Sequence, residues 1–346
     1  MSFIVAAQHP SSVQKRWGVF AQPKFIASLC MALAATSLLA VTPDVQAQNY
    51  PNRPNRPISL VIGYAPGGGT DIVGRVLALE LGKELGQTVI VDNRPGAGTL
   101  LATQYVMRAP ADGYTLFFGT NGMVINSLLK KPAPYDVVKD FTPVGMVTVQ
   151  SLSLVVRPTL NINSTKELIA YAKANPRKLN FASSGYGNGQ HLAGVAFADA
   201  TGIDIVHVPY KGAAPAIQDL IGGRVDMMFT GLLGLSEHIR GKRMILLATT
   251  GKNRTAATPD TPSVAEAADL PDFAVDSWQA IFLPANTPKD VVARLSDALK
   301  KVGAAGKLDK RFADQGMDIT ITSPEELRRF IVQDRDHLAE LVKKMD

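Results

Sequence analysis

The side chains and backbone groups able to do chemistry in this chain collect in small-residue turns. The first runs Tyr64-Ala65-Pro66-Gly67-Gly68-Gly69-Thr70-Asp71. The N–H groups of Gly68, Gly69 and Thr70 can hold a carboxylate there, because the first turn of a helix leaves its amides unpaired and carries its positive end. Tyr64 adds a phenol. Asp71 either accepts a bond from a ligand amino group or a water, or is only an acid favoured by the helix dipole. A plain reading stands beside this one: Thr70 as an N-cap in a tight strand-to-helix turn that binds nothing.

The second turn runs from Ser183 to His191 and contains Ser184, Gly185, Gly187 and Gly189. Its three glycines allow close backbone approach to a guest. Ser183 and Ser184 can donate to a carboxylate, and His191 sits at an expected helix start, for binding or for a structural hydrogen bond. Further candidates are the Thr120-Asn121 pair, whose amide donates or accepts, Lys211, read as either an anion partner or a solvated turn lysine, and Thr230. Trp278 is expected at the cleft mouth or in the core.

Catalytic signatures are mostly absent. No G-x-x-x-x-G-K-[ST] loop occurs, and Ile72 occupies the last glycine position of a would-be G-x-G-x-x-G. No serine sits in G-x-S-x-G. His191, His207, His238 and His337 show no metal-ligand spacing. The expected cofactor set is therefore empty.

These turns need strands and helices to aim them. Apolar runs predict strands over 60–64, 89–91 and 115–119, with helices over 71–85 and 99–107. This alternation argues for a doubly wound α/β arrangement, in which ligands sit beyond the carboxyl ends of the strands. The glycine turns at 67–69, 96–98 and 119–122 all fall at such ends and are expected to converge. A strand over 152–156 carries the chain into a second domain. There, strands at 180–182, 206–208 and 225–229 alternate with helices over 166–174, 191–200 and 213–221. A strand over 244–249 returns the chain. Residues 259–285 read as irregular, and helices close the chain over 288–302 and 324–344. The expected division is 48–150 plus 251–346 for domain 1 and 151–250 for domain 2, with two connecting segments that form a hinge.

The chain has 346 residues, 46% of them hydrophobic and 19% charged, as in globular proteins. Lys15, Arg16 and Lys24 precede an uncharged apolar run over 25–41, and Val45-Gln46-Ala47 resembles a peptidase site. This predicts an export signal over 1–47, cleaved after Ala47. The competing reading, an uncleaved anchor, fits the short run less well. Cys30, the single cysteine, lies inside that segment, so no disulfide is expected. Removing 1–47 takes away three positive charges and one negative, so the net charge of +6 falls to a mild +4 whose residues are scattered, which does not suggest nucleic acid.

Longer stretches carry a resemblance. YAPGGGTDIVGR, VDNRPGAG, ADGYTL, FTPVG, LNFASSGYGNGQHLAG and VPYKGAAPAIQDLIGGRVDMMF, in this order, are similar to the Bug-type receptors of tripartite tricarboxylate transporters. The resemblance implies a type II, Venus-flytrap periplasmic-binding-protein fold: two α/β domains, each a mainly parallel sheet flanked by helices. It implies a periplasmic monomer that holds a small organic carboxylate between loops 65–71 and 183–191 for a membrane transporter. Di- and tricarboxylates, acidic amino acids and aromatic acids are the implied ligand classes. One departure is visible. Where many relatives place an acid and an Asn after VDMMF, this chain has Thr230-Gly231, which argues against an amino-acid ligand. Met123, Val124 and Leu232 favour an apolar part in the guest. The alternatives are a secreted hydrolase using Ser184 with His191, and a sensor without a transport role.

Overall fold

The computed structural model describes residues 50–345. The export signal expected over 1–47 lies outside them.

The chain begins with β1 (Ile58–Ile62), α1 (Gly69–Leu85), β2 (Val89–Asn93), a 3-10 turn at Ala97–Thr99 and α2 (Leu100–Met107). It continues through β3 (Thr115–Thr120), α3 (Asn121–Leu129) and the 16-residue β4 (Phe141–Val156). Then come α4 (Thr165–Ala174), β5 (Asn180–Ser183), α5 (Gly189–Thr201), β6 (Val206–Pro209), α6 (Ala213–Ile221) and β7 (Met227–Gly231). The remainder is α7 (Ser236–Arg240), β8 (Ile245–Thr249), α8 (Val264–Ala267), β9 (Asp276–Pro284), α9 (Lys289–Ala304), α10 (Lys307–Phe312), β10 (Asp318–Ile319) and α11 (Pro324–Val342).

The sheet runs β2-β1-β3-β9-β4-β7-β5-β6, with β8 and β10 also on β4. Its outer strands are parallel, as the βα alternation requires: β1 with β2 and β3, and β5 with β6 and β7. Its middle is antiparallel. β4 pairs with β9 from Phe141 to Ser151, then with β7 and β8 from Leu152 onward. One strand thus belongs to both halves of the sheet.

Helices cover both faces of the first half. Leu60, Ile62, Phe118 and Ile281 pack with Leu77 and Leu81 of α1 and Leu295 and Leu299 of α9. Val61, Phe117 and Phe282 point the other way, onto Val106 of α2, Ile125 of α3 and Leu327, Ile331 and Leu338 of α11. In the second half, Leu154, Phe181 and Phe229 share a core with Phe197 of α5, while Val155, Ala182 and Met228 pack on Leu220 of α6. Strands buried on both faces lose the apolar–polar alternation and read as continuous apolar runs.

Helix starts follow local rules. Ser164, Asn188, Ser263 and Ser323 each accept a hydrogen bond from the amide three residues on, and Ser323 with Glu326 completes a capping box.

Two readings are corrected. Residues 259–285 are not irregular throughout: they contain α8 and β9, a strand at the centre of the sheet. The crossing strand is not confined to 152–156 but begins at Phe141. In addition, the segment after β3 turns at once into α3, with Thr120 as N-cap accepting from Gly122 N at 3.2 Å.

Candidate functional site

A cavity of about 140 Å³ lies beyond the carboxyl ends of the parallel strands, where the two halves of the sheet face each other. From the first half it is lined by Tyr64, Gly67–Asp71, Thr120 and Asn121, and from the second by Ser184, Asn188–Gln190, Ala213, Ala214 and Thr230. Gln150 and Leu152, on the strand shared by both halves, form part of the wall. The volume is below the ~300–1,000 Å³ of sites for drug-sized ligands, so the site suits a small guest.

Helices α1, α5 and α6 present their first turns to this space. α1 and α6 begin on Gly68 and Gly212, neither of which supplies a side-chain cap. Their leading N–H groups and positive ends are therefore directed at the cavity. α5 is capped by Asn188, whose Oδ1 accepts from His191 N at 3.0 Å. Among the described residues, no lysine or arginine lines the cavity. The groups this leaves available to a negatively charged guest are helix ends and hydroxyls.

The hydroxyls are held in place. Tyr64 Oη lies 3.0 Å from Thr120 Oγ1, and burial pushes the phenol up to about 12, against the hydrogen bond to Thr120, so it stays protonated. Thr70 Oγ1 accepts from Gln279 Nε2 at 3.2 Å. Ser184 Oγ accepts from Asn188 Nδ2 at 2.8 Å, and Thr230 Oγ1 from Gln190 Nε2 at 3.0 Å. Asn121 Nδ2 donates to Asp276 O at 3.2 Å.

Asp71 is fully engaged by the protein. Its oxygens accept from Gly67 N, from Asn93 Nδ2 and twice from the Arg75 guanidinium, all at 2.9 Å. Burial raises this carboxyl, but Arg75, Gly67 and Asn93 together hold it below the usual carboxylate range. Its negative charge is answered by Arg75, one turn further along α1, with Gly67 and with Asn93 of β2, leaving little for a ligand amino group.

Of the residues expected from sequence, Tyr64, Gly68, Gly69, Thr70, Asp71, Thr120, Asn121, Ser184, Gly189 and Thr230 line the cavity. Four lie elsewhere. Ser183 is fully buried behind the turn; its Oγ donates to Gly185 O at 2.9 Å and lies 2.7 Å from His207 Nε2. Gly185 and Lys211 border a different, outward-facing hollow together with Gly96–Gly98 and Tyr186. The Lys211 backbone is fixed there, its carbonyl accepting from Ala65 N at 2.9 Å. His191 is buried in an aromatic stack, its ring 3.8 Å from that of His207, and Nδ1 accepts from Gly187 N at 3.3 Å. Burial, and then the charge of His207, lowers His191 to about 3; burial lowers His207 to about 4.

The glycine turn at 96–98 also faces that outer hollow instead of the cavity. Met123 and Val124 are core residues with no exposure, and Trp278 is in the core, donating from Nε1 to Asp334 at 2.9 Å. The apolar wall is formed instead by Leu152, Ile217, Leu233 and Met317. Sequence reasoning missed Leu152, Ile217 and Met317, and also Gln150, Gln218, His238 and Ser277. Most come from strand interiors and helix flanks with no local signature. Gln190 and Asn188 were findable, since both stand in the second glycine turn.

The pair expected for a hydrolase does not form. Ser184 is engaged by Asn188 and His191 by Gly187, with no hydrogen bond between Ser184 and His191 among the described residues. Nor do these residues contain a cluster of three or more His, Cys, Asp or Glu placed to hold a metal.

A cleft between two halves of an α/β sheet that share a strand defines the periplasmic-binding-protein fold. The solved structure of the periplasmic binding protein BugD superposes with a TM-score of 0.81 at 34% identity, covering 85% of this chain and 98% of that one. A Rhodopseudomonas palustris protein with adipate gives 0.80 at 31% identity, over 84% and 98%. MatC of the same organism, with bound malate, gives 0.79 at 29%, over 84% and 100%. The family model described as tripartite tricarboxylate transporter family receptor matches residues 73–346, and the chain belongs to that family.

Proposed function

We propose that this protein is a periplasmic receptor that captures a small organic carboxylate and passes it to the membrane subunits of a tripartite tricarboxylate-type transporter. In this reading, residues 48–150 with 251–346 form one lobe and residues 151–250 the other, and the guest closes them together. The receptor is exported by a signal cleaved after Ala47 and works as a monomer. It needs no metal, organic cofactor or nucleic acid, and performs no turnover.

One observation carries the reading: α1 and α6, from opposite halves, start on uncapped glycines and face one small cavity. Convergent helix ends suit an anion without a basic side chain. Tyr64, Thr70, Ser184 and Thr230 orient it, and water can bridge the remaining gaps at little cost in affinity. Solved relatives with malate and with adipate support a dicarboxylate of similar size.

The test is calorimetry and thermal shift on the mature protein with C4–C6 dicarboxylates, using neutral sugars as controls. A true ligand at a hundredfold excess over its Kd adds about 2.7 kcal/mol to stability and is recovered unchanged. Stabilisation by sugars with none by any acid, or steady product formation, overturns the reading.

A further inference from the structure

The wall of the cavity contains a polar group without a partner. Gln150 is 6% exposed, lines the cavity, and its Oε1 is buried with no hydrogen bond among the described residues. A buried acceptor left unpaired is costly, and each such atom in a native protein calls for a reason. Its place in the fold is well defined. Gln150 stands opposite Ser277 on β9, two residues before Leu152 pairs with Gly231 on β7. Its amide fills the space that a side chain at 231 would occupy, since a Cβ on Gly231 would lie 2.6 Å from Oε1.

We infer that Gln150 reads a hydroxyl group on the bound acid, so that the receptor selects hydroxy-dicarboxylates over their deoxy counterparts. The inference rests on the carboxylate reading above and adds the feature that chooses among carboxylates. Donors and acceptors decide the match. A primary amide offers N–H donors and a carbonyl acceptor, and its terminal torsion is soft enough to present either. A hydroxyl both donates and accepts, so it satisfies the two ends of the amide at once. A second carboxylate only accepts, which leaves Oε1 orphaned. An ammonium only donates and brings a positive charge. Asp71, the single acid lining the cavity among the described residues, is already committed to Arg75, Gly67 and Asn93. A site built to pair a hydroxyl rejects the analogue lacking it, because its own polar group is then stranded.

The experiment is calorimetric titration with malate and with succinate, which differ by that hydroxyl. The wild-type protein is expected to bind malate at least tenfold more tightly. Gln150→Met, which keeps the volume and removes the amide, should lose at least tenfold more affinity for malate than for succinate. Gly231→Ala displaces the Gln150 amide by crowding and should show the same selective loss, which guards against misfolding of the first variant. If both acids bind the wild type within twofold, or each variant weakens them equally, the hydroxyl role is wrong while the carboxylate receptor stands. If neither these acids nor other carboxylates bind, both readings fall.

Discussion

Gly98 meets the carbonyl oxygen of Tyr186 across the two halves of the molecule so closely that a Cβ on Gly98 would lie 1.8 Å from it. Gly98 also has φ of +60°, where L side chains are strained. Gly98→Ala should therefore hold the halves apart. Ligand affinity is expected to fall more than tenfold by calorimetry. Gly86→Ala is the matched control. Gly86 has φ of +65°, with nothing within 4 Å of the place a methyl would take, so the change should cost about 1 kcal/mol of stability and leave affinity unchanged. Equal affinities for the two variants would show that this contact does not govern closure.

Asn126 is a second tie between the halves. Its Nδ2 lies 2.7 Å from Gly98 O, 2.8 Å from Gly122 O and 2.9 Å from Gly187 O, and the residue is 1% exposed. Two amide hydrogens serve three carbonyls, so the group is shared among them. Asn126→Ala should destabilise by about 1–3 kcal/mol, because buried acceptors lose their donor. A change in urea midpoint equivalent to less than about 0.5 kcal/mol would place these carbonyls in contact with solvent instead.

Asp71→Asn tests whether the acid of the first turn is architectural. The amide would keep the shape but lose both the bidentate pairing with Arg75 and the charge that favours the α1 start. The expected outcome is a stability loss of about 1–2 kcal/mol at pH 7. The Asp71 carboxyl is held low in the folded protein. Its stabilisation is therefore present above the unfolded value of about 3.9 and disappears as pH falls through the folded value. The wild-type advantage over Asp71→Asn should shrink below about pH 4 in denaturant titrations. A constant difference from pH 7 to pH 3 would contradict this.

The stacked His191 and His207 make the protein acid-sensitive. Their folded values of about 3 and about 4 lie below the ordinary 6.5. The unfolded chain thus binds more protons below about pH 6.5, and the stability conferred by neutral burial is lost as pH falls toward 4. Asp334 acts with the opposite sign: burial raises it to about 6, so its ionisation costs stability as pH rises through that value. Burial also lowers His238 and raises Asp276, and the large shifts of the two stacked histidines leave a net loss on acidification. The urea midpoint should drop from pH 7 to pH 5, and His191→Phe with His207→Phe should flatten the profile. An unchanged slope in the double variant would assign the effect to other groups.

Much of the fold was legible in the sequence because its signals are local. The helices over 213–221 and 165–174 and the parallel strands around 58–62, 115–120 and 180–183 carry their own caps, glycine stops and apolar runs. The central strands were not legible for the opposite reason. β9 and the first part of β4 are buried on both faces, so they show no alternation, and Pro271 and Pro284 around β9 read as loop.

Which turns are built to approach an anion follows from the order of the amino acids alone, because small residues and helix starts are properties of a few neighbours along the chain. Whether those turns share a space depends on how the chain folds. Gly67–Gly69 and Ser184 meet across the cavity, whereas the equally glycine-rich turn at 96–98 and Lys211 face an outer hollow. The hydrogen bond that Asn93 donates to Asp71, and the stranded amide of Gln150 beside Gly231, belong to the same category. They arise where strands distant in sequence come into register, and no local pattern encodes which side chain that register leaves without a partner.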